Sequence, residues 1–503
     1  MNNLRRVTVV IVFLSIIVKL LGFLRESIIA SQFGANEMTD GYLLAFSFIT
    51  LIVVMTTAGF NNVFLPMYIR NFKRDPENAD KNAVGILNVT TILFIVLGLL
   101  LYVLSPYIFQ IILVQDAHET GVVATEIMRI YALFLTVIAI DGVLESYLQS
   151  KRNFIPIQLS KLSVGFFSAV APLFLGTTFG INSIAYGFIF GSVLGIIIQF
   201  VYLAKDNFKW YLNFKVDRDF SKEFIVLLIP AILNATMGFT NQLVDKLFAT
   251  STTTSGAVTY LNNSSLIVSI PYAIFSTTIA SIIFTMLSEN ADIKDKFRKT
   301  LNDGLDISFT IFFPICFGML VIAEPLVSFI FERGAFESED TRRTFLALLF
   351  YSPIVITQGV QLVISKALYA KQRTQLILKI SMTTIILNVI LNAAFIKPFG
   401  YLGLAAASSI VSIYYLVSTT FFLYKDVGNT YLKPVIHFMV RTIIATLGMA
   451  VPLYFLAQTE WVKSFYSLTQ MAIIVPLGVV LYVISTYIFH KEGFKQALVF
   501  IKR

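Results

Sequence analysis

Of 503 residues, 57% are hydrophobic and only 13% are charged, and the mean hydropathy is +0.79, an apolar load that no water-soluble core could bury. A net charge of +9 would suggest nucleic acid in a soluble chain, but here the basic residues sit in short loops between apolar runs, where they report topology. The lone cysteine, Cys316, excludes a disulfide framework and a thiolate metal site.

Backbone groups in lipid must be satisfied within the chain, so apolar runs of about 20 residues mean helices. The alternation of an outer-membrane barrel is missing. The sequence therefore predicts an all-α polytopic membrane protein of about fourteen transmembrane helices. After a basic start, Met1 to Arg6, the run Val7 to Leu24 is followed by no small-residue cleavage site and reads as a permanent span. The predicted spans are 7–33, 40–69, 83–113, 122–148, 154–176, 180–204, 221–250, 256–288, 301–331, 343–368, 374–396, 401–424, 433–458 and 466–490. Counting Lys and Arg in alternate loops gives about 25 on the side of the N-terminus and about 5 on the other, which puts both termini in the cytoplasm. No loop is long enough for a separate soluble domain, which disfavours a receptor or an anchored enzyme.

Slid against itself, the chain shows one informative register. At an offset of 220, Tyr131 to Ala204 overlays Tyr351 to Tyr424 without a gap, Lys151 falls on Lys371, and Phe179-Gly180 falls on Phe399-Gly400. An offset of 219 sets Glu26 on Asp245 and Ala30 on Ala249. The expected organisation is an N-lobe, 1–206, a C-lobe, 221–425, an additional helix pair, 433–490, and a cytoplasmic tail, 491–503. Six spans per repeat make the two lobes parallel, related by a pseudo-two-fold axis along the membrane normal, and substrate sites in such transporters lie between the halves.

Charges inside spans are costly and so informative. Span one carries Lys19, Arg25 and Glu26. Lys19 and Arg25 lie about 120° apart around the helix, on one broad face, and Glu26 can neutralise at most one of them. A water-filled cavity with cationic walls fits this arrangement better than snorkelling, which suits Lys19 poorly so deep in the run. Asp40 opens span two, where an acid also serves simply as a helix N-terminal charge. In span four, Asp141 and Glu145 at i, i+4 invite a shared proton or a cation, or Glu145 is merely solvated. Asp245 and Lys246, adjacent in span seven, cannot face each other, so each needs its own partner. In span eleven, Asn388 and Asn392 share one face, which suits carbonyl oxygens on a monovalent cation and equally suits interhelical hydrogen bonding. No nucleophile with a base, no HExxH and no phosphate-binding glycine loop appears, so the chain does not read as an enzyme or ATPase.

The segment Leu21-Gly22-Phe23-Leu24-Arg25-Glu26, continuing through Phe33-Gly34-Ala35 to Thr39-Asp40-Gly41-Tyr42 and Phe64-Leu65-Pro66, resembles the start of the MurJ (MviN) lipid II flippase family. A second block does too: Phe331-Glu332-Arg333-Gly334-Ala335-Phe336, Asp340-Thr341-Arg342, Tyr351-Ser352-Pro353 and Ala367 to Gln372. The resemblance covers the whole chain and extends to the plan of the multidrug/oligosaccharidyl-lipid/polysaccharide exporter superfamily. It implies a bacterial inner-membrane flippase for a polyprenyl-linked peptidoglycan precursor, with membrane lipids and cell-wall synthesis proteins as further partners and no nucleic acid. The additional helix pair would line a groove for the polyprenyl tail. Lys19, Arg25, Glu26 and Asp40 take the substrate-binding positions by this resemblance. Asp245, Asn388, Asn392, Ser408 and the carbonyl of Leu404 take those of a monovalent cation such as Na+, with no other cofactor. The family usually places arginines in spans two and eight, where this chain reads Ile52 to Met55 and Asn262 to Leu266, leaving Lys246, Lys161 or Lys366 to compensate. The alternatives are another polyprenyl-linked surface oligosaccharide, cation-coupled efflux of small molecules, and a non-transporting scaffold.

Overall fold

The computed structural model describes residues 2–113, 117–205, 210–428 and 432–490. The expected tail, 491–503, and the loop residues Gln115 and Asp116 lie outside the described residues. All regular elements among the described residues are helices. The chain begins with α1 (Asn2–Phe33) and α2 (Glu37–Gly59), which a π-helical turn, Phe60–Phe64, carries into α3 (Leu65–Phe72). There follow α4 (Pro76–Ile112), α5 (His118–Leu133), α6 (Leu135–Ser150), α7 (Ile155–Phe179), α8 (Asn182–Lys205), α9 (Arg218–Ala249) and α10 (Ala257–Glu289). The rest are α11 (Lys294–Val321), α12 (Ala323–Phe331), α13 (Ser338–Tyr351), α14 (Pro353–Ala370), α15 (Thr374–Val427), α16 (Leu432–Ala457), α17 (Glu460–Lys463) and α18 (Ser467–Phe489).

Polar side chains start these helices by accepting the amides that a first turn leaves unpaired. Asn36 accepts from Met38 and Thr39, and Asp217 accepts from Asp219 and Phe220. Glu337 and Asp340 form a reciprocal capping box on α13. Away from these ends the surface is apolar: Leu93, Leu99, Val103 and Ile111 stand out along α4, and Val479 and Ile488 along α18. Side chains this large and this exposed need lipid around them.

Nine helices among the described residues are long and apolar enough to cross a membrane, or eleven if each bent pair is one span. About fourteen were expected. Part of the difference lies in α15, counted once, which covers the predicted spans 374–396 and 401–424 and is kinked between them at Gly400 (φ 58°, ψ −144°). Two others, α1 and α10, have 32 and 33 residues, a length sufficient to span.

The chain forms two compact units, 1–259 with 333–336, and 260–332 with 337–503. This division differs from the expected lobe boundary: α9, expected to open the second lobe, packs along α2 and the π-helical turn and belongs to the first unit. Arg70 on α3 and Glu223 on α9 are bridged at 2.5 Å. The most extensive packing in the first unit joins α7 to α8. Gly187, Gly191 and Gly195 form one stripe on α8, and a Cβ at Gly191 would stand 2.7 Å from the Cα of Val164. Small residues thus let the two backbones meet directly, as membrane helices favour.

In the second unit α11 packs against α14 and α16, and α18 packs against α16. The added pair is therefore part of this unit, tied to it by the Tyr482 hydroxyl, which donates to the Thr310 carbonyl at 2.8 Å, and by Ser467 and Ser328, 2.9 Å apart. Cys316 is buried in α11, where it serves as a small core residue.

The repeat is visible in backbone detail. Gly180 and Gly400, at the offset of 220, have φ/ψ of 55°/−141° and 58°/−144°. Arg152 and Gln372, at the same offset, are left-handed at φ 59° and 58°. Each of these turns closes with the same pair of backbone bonds, from Arg152 to Gln149 and Asn153 to Leu148, and from Gln372 to Tyr369 and Arg373 to Leu368.

Candidate substrate and cation sites

The late turns of α1 carry Arg25 and Glu26 into the first unit. Arg25 donates to Glu26 Oε1 from Nη2 at 2.6 Å and from Nε at 3.2 Å, so the acid neutralises its neighbour. The guanidinium lies 4.6 Å from the centre of the Phe46 ring on α2, a cation held over a π face. Phe46 is stacked on Tyr42 and also meets Phe188 of α8, with centroids at 5.7 and 5.8 Å. One residue beyond Phe46, the Ser47 hydroxyl accepts a hydrogen bond from Lys246 Nζ of α9 at 2.9 Å. Lys246 is within electrostatic range of Arg25, Glu26 and Asp40. Arg25 and Lys246, with Glu26 and Asp40 as counter-charges, give a partly buried cluster of two cations and two acids on an aromatic floor.

Lys19, six residues earlier on α1, is exposed. Of the other lysines that could replace missing arginines, Lys161 is bridged to Glu145 at 2.7 Å, and Lys366 lies 5.1 Å from the Phe284 ring in the second unit. Only Lys246 of the three joins the Arg25 cluster. Phe46 and Ser47 escaped sequence reading, because one phenylalanine among 47 carries no signal of its own.

Asp40 is buried and acts as a cap, but on a different helix from the one it opens. Its carboxylate accepts from the backbone amides of Val258 at 3.2 Å and Thr259 at 2.8 Å, and from the Thr259 hydroxyl at 2.6 Å. These are first-turn groups of α10, while Asn36 caps α2. The connections around this cap are tight. Ala335 donates its amide to the Ser31 carbonyl at 2.8 Å, and Gly334, at φ 59°, leaves no room for a Cβ, which would fall 2.2 Å from that same oxygen.

The expected cation residues are divided between the units. Asp245 is buried in the first, and Asn388, Asn392, Leu404 and Ser408 belong to the second. There Asn392 Nδ2 donates to Asn388 Oδ1 at 3.2 Å along the face of α15, both side chains being buried. Leu404 is buried and Ser408 half-buried beyond the Gly400 kink. Within the second unit the candidate donors are amide, hydroxyl and carbonyl oxygens, ligands of the kind a hard monovalent ion takes. No group of three or more His, Cys, Asp or Glu that could hold a metal occurs among the described residues.

A family model described as "Lipid II flippase MurJ" matches residues 29–476. The match takes in Asp40 and all the expected cation residues and begins after Lys19, Arg25 and Glu26. The chain is 26% identical over 466 residues to a "Probable lipid II flippase MurJ" of Buchnera aphidicola subsp. Acyrthosiphon pisum, with 90% of each covered. It is 24% identical over 486 residues to the "Lipid II flippase MurJ" of Thermosipho africanus, with 95% of each covered. Among solved structures, "Lipid II flippase MurJ, inward closed conformation" superposes with a TM-score of 0.81 at 23% identity, covering 96% of this chain and 99% of that one. An inward-facing multidrug resistance MATE family transporter of the MOP superfamily gives 0.72 at 14% identity, covering 82% and 96%. At these identities the two structural likenesses concern the fold.

Proposed function

The chain belongs to the lipid II flippase MurJ family, and from that premise we propose that it moves lipid II, the undecaprenyl-pyrophosphate-linked peptidoglycan precursor, from the inner to the outer leaflet by alternating access. It is a multi-pass membrane transporter rather than an enzyme. The Lys and Arg count supports a place in the bacterial inner membrane with both termini cytoplasmic.

The observation that carries the reading is the partly buried Arg25, Glu26 and Lys246 cluster beside Phe46. A guanidinium offers two parallel donors to a phosphate, and an ammonium adds a compact charge beside it. Glu26 holds Arg25 at 2.6 Å. Exchanging the carboxylate for a phosphate oxygen keeps the arginine paired at every stage, so the anion is gripped without the cost of a bare charge and can be released again. The Lys246 ammonium supports a pyrophosphate cargo despite the absent arginines of spans two and eight. A Na+ ion on the oxygens of Asp245, Asn388, Asn392, Ser408 and the Leu404 carbonyl would supply the positive charge that resets the inward state. Lys19 and Asp40 are proposed substrate-side residues, the first as a charge met early and the second through the helix it caps. Cell-wall synthesis proteins are the macromolecular partners this reading names.

Depletion of the protein should accumulate lipid II on the inner leaflet. In that background Arg25→Ala and Lys246→Ala should each fail to restore growth while remaining in the membrane at normal level. Growth of the Arg25→Ala strain, or accumulation of a different lipid-linked glycan, would overturn the assignment.

A further inference from the structure

Outside this cluster, α6, α7 and α8 of the first unit enclose a second set of polar side chains. Asp141 Oδ1 accepts from the Ser160 hydroxyl at 2.6 Å and from Gln199 Nε2 at 2.7 Å. Gln199 is 1% exposed, and its other amide atom, Oε1, has no hydrogen-bond partner. Ser160 is held in place by the glycine stripe of α8, since a Cβ at Gly195 would stand 2.2 Å from its Oγ. The charged groups within electrostatic range of Asp141 are Glu145 on the same helix and Lys161 on α7. Those two are bridged to each other at 2.7 Å and cancel. One negative charge is left on Asp141, which forms no ion pair among the described residues.

The second unit shows what the same positions look like without charge. At the offset of 220, Asp141 falls on Gln361, Glu145 on Ser365 and Gln199 on Thr419. There the Thr419 hydroxyl donates to Gln361 Oε1 at 3.0 Å, and Gln361 Nε2 donates to Ser365 Oγ at 2.9 Å. Neutral groups therefore satisfy this junction of helices, and its packing does not require an acid. An intramembrane charge that packing does not require marks function. A buried amide oxygen without a donor calls for a ligand that brings one or that coordinates it.

We propose that Asp141, Ser160 and Gln199 form a binding site for a single monovalent cation, H+ or Na+, inside the first unit. One uncompensated carboxylate takes one positive charge, and the carboxylate, hydroxyl and amide oxygens supply ligands for either ion. The site shares no residue with the Asp245 set. Its helix, α6, meets α5 at a bend of 54°, so binding neutralises a charge seven residues from a break in the bundle.

The test uses the purified full-length chain without lipid substrate, so it is independent of the transport reading. Thermal unfolding is followed with Na+ replaced by choline at fixed ionic strength, and separately across pH, with 22Na+ binding alongside. A sodium site makes Na+ stabilise wild type by more than it stabilises Asp141→Asn, whose remaining response belongs to the Asp245 set. A proton site leaves the Na+ response equal in wild type and Asp141→Asn, makes stability depend on pH more steeply in wild type, and shows a protonated-carboxyl infrared band that Asp141→Asn removes. Gln199→Leu should weaken the apparent affinity of the Asp141-dependent response about tenfold, while Gln361→Leu should retain that response. Equal Na+ and pH responses in wild type and Asp141→Asn overturn the proposal. If Asp141→Asn does not fold, unchanged affinity in Gln199→Leu does so.

Discussion

Asp40 takes its charge into the first unit among N–H and O–H donors: two amides and a hydroxyl of α10 converge on one carboxylate. Charge-assisted bonds to a helix start are strong enough to hold an acid away from water. Asp40→Ala removes all three acceptor contacts and should cost about 1 kcal/mol of stability, typical of a lost N-cap. Asp40→Asn keeps one acceptor oxygen and should cost less. Thermal unfolding of the two purified variants checks this; an Asn variant as unstable as the Ala variant would show that charge outweighs capping. The sequence marked Asp40 correctly as an acid at a helix start. It could not show which helix, because Thr259 lies 219 residues away and a hydrogen bond across that distance leaves no local pattern. Arg25 and Glu26 were legible in kind, as a cation with one available counter-charge. Lys246 was legible only as a lysine in need of a partner.

Elements were legible where period and punctuation coincide. The offset of 220 predicted that Lys151 and Lys371 share a turn type, and both turns place the next residue in the left-handed region with matching backbone bonds. The glycine stripe of α8 was present in the sequence too, at i, i+4 and i+8, but its meaning depends on the partner helix, which only packing reveals. A side chain at Gly191 must displace the α7 backbone at Val164 or Ser163, 2.7 and 2.8 Å from the added Cβ. Gly191→Val should therefore destabilise the first unit by about 1–3 kcal/mol, as overpacking does. Gly176→Ala on α7, where a Cβ would find nothing closer than 3.8 Å, should be neutral or slightly stabilising through helix propensity. Melting curves of the pair test the contrast, and equal behaviour would refute close backbone contact as the reason for the stripe.

At the scale of the molecule, hydropathy and charge alternation were sufficient for the fold class, and the repeat for its internal correspondence. Neither fixes which helices pack together: α9 repeats α1 in sequence register yet packs with α2, so it joins the first unit. Sequence similarity records a common pattern of residues, whereas a compact unit records where apolar faces found partners. The proposed drive for transport is a monovalent cation, the sequence showing no phosphate-binding glycine loop. Asp245, buried in α9, and the Asn388/Asn392 pair, buried in α15, are the proposed receivers of that drive. If a monovalent cation resets the carrier, Asp245→Ala should slow steady-state flipping of labelled lipid II in proteoliposomes and remove its response to a sodium gradient or to membrane potential. Asn388→Ala should do the same, and the double variant should be no worse than either single one, the non-additivity of residues serving one event. Binding of lipid II to the Arg25 cluster should survive in all three, which separates lost coupling from lost cargo. Unchanged flipping with an unchanged ion response in Asp245→Ala would leave substrate supply alone as the driving force.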